Sequence, residues 1–128
     1  MEALQYSPKE RYKQLIQGIR EDRVSAFMKQ FYLSQKQLAE LLAVSDRTLY
    51  AQRKKGQLEQ PLSDRFLLIQ SVFAQGVEAL MSAEVFRQWL LTPQRNFNGE
   101  TPFTLMTTIS GAEVVKNELI RTQYGILS

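Results

Sequence analysis

The run Leu33-Ser34-Gln35-Lys36-Gln37-Leu38-Ala39-Glu40-Leu41-Leu42, continued by Ala43-Val44-Ser45-Asp46-Arg47-Thr48-Leu49 and on to Lys54, reads as two short helices broken by a turn. Ser34 stands at the N-cap with Gln37 three positions on, the spacing of a capping box, and predicts a helix through Leu42. Ser45 caps a second helix from Asp46 to about Lys55, which Gly56 stops. Leu38 and Ala39 in the first helix, Val44 in the turn and Leu49 in the second have the spacing of a helix-turn-helix. The small Ala39 lets the second helix approach, and Leu38, Val44 and Leu49 fill the space between them. Ala43 takes the turn position where Gly is usual, at a cost of about 1 kcal/mol for a left-handed backbone. Gln52, where an apolar residue often sits, is a second departure from the pattern.

With Leu49 inward, helical geometry puts Arg47, Tyr50, Ala51 and Lys54 on the opposite face. Such a face enters the major groove of DNA. Arg47, early in the helix, can read guanine bidentately. Tyr50, Arg53, Lys54 and Lys55 suit phosphates, which position rather than specify. Gln35 is a phosphate-contact candidate beside the free backbone N–H groups of the preceding helix. Lys36, Ser45 and Asp46 complete the expected DNA-binding set. The competing reading is a helical hairpin that merely packs and turns a basic face to solvent.

Outward from this centre the chain reads as all-α. Ser7-Pro8-Lys9-Glu10 opens a helix with Ser at N-cap, Pro at N1 and Glu at N3, and Tyr12, Leu15, Ile16 and Ile19 form its stripe up to Gly18. A second helix is expected from about Val24 to Phe31, with Val24, Phe27, Met28 and Phe31 at helical spacing. Beyond the boundary at Pro61 and Ser63, a longer helix from Asp64 to about Leu80 carries Phe66, Ile69, Phe73, Val77 and Leu80 on one face. Ser82 caps a helix with Val85, Phe86, Trp89 and Leu90, which Thr92-Pro93 ends. Asn98-Gly99 is a tight turn, Thr101-Pro102 starts a short helix through Met106, and Ser110 precedes a last helix with Val114, Val115, Leu119 and Ile120. No period-2 run of convincing length interrupts this pattern. The expected organisation is a helix-turn-helix module over residues 1–62, with 1–23 as an N-terminal extension, and a second region over 63–128.

Composition narrows the function. There is no Cys and no His among the 128 residues, so a disulfide framework, a thiolate nucleophile and the usual general base are missing. The carboxylates are scattered over helix faces, and no pair sits in a loop-lined site; neither an enzyme nor a metal or other cofactor is expected. Residues 1–60 carry 11 Lys and Arg against 7 Asp and Glu, whereas residues 61–128 carry 5 against 6. A basic first half beside a near-neutral second half suits nucleic acid in the one and protein in the other. No apolar run reaches the roughly 20 residues of a bilayer span, so a cytoplasmic protein with no membrane partner is expected.

The motifs together resemble the Xre/MbcA/ParS antitoxin family. The N-terminal module is similar from Leu33 to Leu49, followed by a basic stretch, Gly56, Leu58 and the helix start Ser63-Asp64-Arg65. Trp89-Leu90, Thr92-Pro93, Gly99, Thr101-Pro102, Gly111 and Tyr124-Gly125 follow that family's toxin-binding region in order and spacing. Gln94, where Asn is usual, and Phe97, where Leu is common, are departures. The resemblance covers about residues 24–128. It implies a type II antitoxin that represses its own operon by binding double-stranded operator DNA. It also implies a RES-domain toxin partner, which degrades NAD or transfers ADP-ribose, covered at its active site, and self-association into a homodimer. No small-molecule substrate is implied.

For the toxin contact, Arg95 and Phe97 are expected to project from the Gln94–Glu100 loop as an aromatic beside a cation. Arg121 and the apolar end Tyr124, Gly125, Ile126 and Leu127 gain by docking on a partner, at roughly 25 cal/mol per Å² buried. Phe86 and Trp89 are expected in the core. Two other classes remain open on the residues: a stand-alone helix-turn-helix regulator whose C-terminal half only dimerises, and a protein–protein adaptor that no longer touches DNA.

Overall fold

A computed structural model describes Pro8, Lys9 and residues 18–125. Pro8 and Lys9 are helical; Tyr12, Leu15 and Ile16 of the expected first helix lie outside the described residues, whereas Ile19, expected on its stripe, follows left-handed Gly18 into a short strand. From residue 18 the order is β1 (Ile19–Arg20), α1 (Glu21–Phe31), α2 (Gln35–Leu41), α3 (Asp46–Lys55), β2 (Gln57–Leu58), α4 (Leu62–Leu80), α5 (Ala83–Leu90), a 3₁₀ turn (Arg95–Phe97), α6 (Pro102–Leu105) and α7 (Ile109–Gln123). The protein is helical, as expected, with one small addition. β1 and β2 pair antiparallel, Ile19 opposite Leu58 and Arg20 opposite Gln57. Two residues are too few to display a period, so no alternation in the sequence marks them.

Local chemistry explains most boundaries. Ser34 accepts from the Gln37 N–H while Gln37 Oε1 accepts from the Ser34 N–H, each at 3.0 Å, closing the capping box of α2. Ser45 caps α3 and left-handed Gly56 ends it. Ser82 accepts from the N–H groups of Glu84 and Val85 at the start of α5. Three starts differ from expectation, one of them α4, which begins at Leu62 rather than Asp64. α1 begins at Glu21 rather than near Val24, because Glu21 and Asp22 favour a helix N-terminus that apolar spacing does not register. α7 is capped by Thr108, whose hydroxyl accepts from the Gly111 N–H at 3.0 Å, so Ser110 lies inside the first turn.

A chain of aromatic rings joins the two halves. Phe27 of α1 contacts Phe31, Phe66 and Phe73 at centroid separations of 5.2, 5.2 and 5.0 Å. Phe31 meets Phe73 edge-on at 4.8 Å, and Phe73 meets Phe86 at 5.0 Å. The series continues through Trp89 to Phe97. These separations lie in the favourable range for tilted and edge-to-face pairs, worth about 0.5–1.5 kcal/mol each beyond the area buried. One hydrophobic core therefore runs from α1–α3 into α4, α5 and α7.

Buried polar groups tie the same halves together. The Ser63 hydroxyl accepts from the Ile19 N–H at 3.1 Å and donates to the Leu58 carbonyl at 2.7 Å, so the first turn of α4 fastens both short strands. Arg23 donates to buried Gln70 at 2.8 Å. Arg87 donates to the carbonyls of Phe31 and Tyr32, satisfying the C-terminal end of α1 from α5.

α5 crosses α4 at Gly76, where a Cβ would overlap the Phe86 ring. Gly76→Ala is expected to lower unfolding free energy by about 1–3 kcal/mol, the range for overpacking a dense core, and combining it with Phe86→Leu should recover part of the loss. Chemical denaturation of the single and double variants measures this; a fully additive double variant would contradict it.

Candidate functional site

The turn between α2 and α3 is built as its residues require. Leu38, Ala39 and Leu49 are buried, Val44 packs against them, and Ala43 is left-handed at φ 59°. The Val44 N–H donates to the Ala39 carbonyl at 3.0 Å, closing the end of α2. Gln52, the polar departure, acts locally, since its side-chain oxygen accepts from the Glu59 N–H at 2.7 Å and holds the segment after α3.

With Leu49 inward, Lys36, Ser45, Asp46, Arg47, Tyr50, Ala51, Lys54 and Lys55 are exposed. Lys54 Nζ lies 6.0 Å from the Tyr50 ring, and Lys55 pairs with Glu59 at 3.2 Å on the surface. Arg53 differs from the expected solvent-facing cation. Its Nε and one terminal nitrogen donate to both carboxylate oxygens of Glu21, at 2.9 and 2.7 Å, and the other terminal nitrogen donates to Gln35 Oε1 at 2.8 Å. Sequence spacing gives no sign of this, because Glu21 is 32 residues away in the chain.

The hydrogen bond from Arg53, above all, holds the Glu21 carboxyl below its ordinary pKa; the Ser25 hydroxyl and the Arg53 charge add to it, and partial burial opposes it. The same bond raises Arg53.

In the second half, Phe97 corrects the expectation. It is 9% exposed and stacks edge-on to Trp89 at 6.3 Å, so it supports the loop from inside and does not project. The loop closes on itself: the Gln94 N–H donates to the Glu100 carbonyl and the Gly99 N–H to the Gln94 carbonyl. Gln94 Nε2 also donates to the carbonyls of Trp89 and Thr92. Arg95 is exposed on the loop's outer side.

Gly111 lets α7 pass close to α6, since a Cβ there would overlap the Leu105 carbonyl. Ala112, Val115 and Leu119 face the core, and Gln75 of α4 bonds to Gln123 near the end of α7. Val114, placed on the apolar stripe by sequence, is 48% exposed. It shares an outer face at i, i+7 and i+10 with Arg121 and Tyr124, the latter 70% exposed. Spacing does not separate Val114 from Val115; only the packing of α7 on α4 does. Gly125 follows with φ 65°, and Ile126 and Leu127 lie outside the described residues.

These features define a helical protein with an exposed cationic helix in one half and a mixed apolar and cationic helix face in the other. Residues 75–125 match the model of the antitoxin Xre/MbcA/ParS C-terminal toxin-binding domain. No curated protein matches the chain. A chain in the crystal structure of the M.tuberculosis MbcT-MbcA toxin-antitoxin complex matches with a TM-score of 0.61 and 15% identity, over 82% of this chain and 94% of that one. At that identity the likeness speaks for the fold. No single helix among the described residues is long and apolar enough to cross a membrane.

Because Glu21 has its pKa lowered by folding, its contribution to stability is present above the ordinary carboxylate pKa and is lost as pH falls through the lowered one. Glu21→Gln is expected to cost roughly 1 kcal/mol or less at neutral pH, as suits a partly exposed pair. Urea denaturation across a pH series should show wild type and variant converging in acid; a gap that widened in acid would refute the ion pair's role.

Proposed function

We propose that this chain is the antitoxin of a toxin–antitoxin pair, binding operator DNA through α2 and α3 and its toxin through the outer face of α7. The match of residues 75–125 to a toxin-binding domain is the observation that carries the reading. The action is binding and not catalysis: the antitoxin covers the toxin and represses the operon that encodes both.

On the DNA side, α3 enters the major groove with Arg47 and Tyr50 leading, and Ser45 and Asp46 lie at its start. Arg47 reads base edges, whereas Lys36, Lys54 and Lys55 meet phosphates. The Gln35 amide lies on the same side. On the toxin side, Val114, Arg121 and Tyr124 present an aromatic and a cation on a rigid helix, chemistry typical of interface anchors. Arg95, exposed on its own loop, and the terminal sequence Gly125, Ile126 and Leu127 are assigned to the same toxin contact. The toxin is a RES-domain protein that consumes NAD or transfers ADP-ribose, and two copies of the chain pair to present two DNA-reading helices to a palindromic operator. The M.tuberculosis chain of similar fold comes from a toxin–antitoxin complex, which supports a toxin partner here.

Co-expression with the neighbouring open reading frame and with a RES-domain toxin tests the toxin arm. The full chain should rescue growth and co-purify with the toxin. Arg121→Ala combined with Tyr124→Ala, or truncation after Gln123, should abolish rescue while leaving the melting temperature within a few degrees. Rescue by both altered forms would remove the α7 surface from the interface.

The DNA arm has its own measurement. Arg47→Ala should relax sequence preference at about one base pair, and Lys54→Ala should weaken all duplexes alike while reducing the salt slope by about one. A chain that binds no promoter duplex at low salt, yet still neutralises toxin, would leave a protein-binding antitoxin without operator binding.

A further inference from the structure

We propose that Arg53 is a positioning residue for operator binding: it locks the recognition helix to α1 and α2 and sets the Gln35 amide with its N–H side toward a DNA phosphate. This role rests on the operator-binding reading above. All three guanidinium nitrogens are engaged within the protein. Nε and one terminal nitrogen form a fork on the Glu21 carboxylate, and that terminal nitrogen also donates to the Ser25 hydroxyl at 3.2 Å. The remaining nitrogen donates to Gln35 Oε1. Arg53 therefore joins the last turn of α3 to α1 and α2 at once. A planar fork of five donors can satisfy two helices simultaneously; a lysine ammonium cannot reproduce that geometry.

Two consequences follow. The Arg53 charge is paired with Glu21, and four of its five N–H donors are spent within the protein, so it positions α3 rather than meeting a phosphate as exposed Lys36 and Lys54 do. Arg53 also fixes which way the Gln35 amide lies. Arginine only donates, so the atom facing it must be the carbonyl oxygen, and the NH₂ group is turned the other way. One of its N–H bonds points to the Asp46 carbonyl at the start of α3, at 3.4 Å. The second is left for a phosphate oxygen. The main-chain bond from the Glu21 N–H to the Gly56 carbonyl, 2.9 Å, holds the other end of the same junction. Pitch of α3 and orientation of Gln35 thus share one support.

The experiment is fluorescence anisotropy of the full chain on its own promoter duplex and on a scrambled duplex over a salt series. Arg53→Lys keeps the charge but loses the fork. It should weaken promoter binding by about ten-fold, leave scrambled-duplex binding nearly unchanged, and keep the salt slope, because no phosphate contact is lost. Glu21→Gln, which frees Arg53 and removes a negative charge, should also weaken promoter binding. If Arg53 instead met a phosphate, Glu21→Gln would tighten binding and steepen the slope, and Arg53→Gln would make the slope shallower by about one; either result overturns the proposal. Unchanged promoter affinity in both Arg53→Lys and Glu21→Gln overturns it as well. Should Arg53→Lys fail to fold by circular dichroism, the sign of the Glu21→Gln effect still decides. Absence of promoter binding by the unaltered chain would instead refute operator binding itself, and this role with it.

Discussion

The aromatic series from Phe66 through Phe27, Phe31, Phe73, Phe86 and Trp89 to Phe97 is the constraint on which the rest of the structure depends. It draws α1, α4, α5 and the 3₁₀ turn into one core, so the half that carries α3 and the half that carries α7 are packed as neighbours. Rings of this size have few rotamers and interdigitate at crystal-like density, and the angles between helices become discrete choices. Gly76 is the clearest sign: α4 gives up a side chain where Phe86 requires the room.

That core frees the surface for binding. Each polar group drawn toward the interior serves a junction: Ser63 for the two short strands, Arg87 for the end of α1, Arg65 for the Thr107 carbonyl before α7, and Arg53 for the α1–α2–α3 corner. Cations not needed at a junction remain outside, and on α3 they share the face opposite Leu49. The cationic surface is therefore a by-product of one buried leucine and of helical geometry. Arg53 is the exception: half-buried, it spends its donors on Glu21, Ser25 and Gln35 at the corner.

Caps and spacing made much of the fold legible. Ser34 with Gln37, Ser45 with Gly56, Ser82, and Thr101-Pro102 each act within three or four residues, and their hydrogen bonds form much as the sequence implies. Ala43 is equally local: the turn demands a left-handed residue whatever surrounds it. Long-range choices were not legible. Phe97 has an aromatic's freedom to cover the loop or to leave it, and only the position of Trp89 decides. Val114 and Val115 differ by a single helical step, and only the approach of α4 to α7 buries one of them. Arg53 has a basic neighbour on its C-terminal side and no acidic partner nearby in sequence, so nothing local distinguishes it from Lys54.

The amino-acid order by itself determined a mostly helical chain, many of its helix ends, the turn between α2 and α3, and the absence of thiol and imidazole side chains. These follow from interactions spanning a few residues, or from inventory alone. Tertiary structure decided which residues of equal local merit are spent inside and which are left to meet a partner. It did so because burial and ion pairing depend on distances between segments tens of residues apart, which periodicity does not encode.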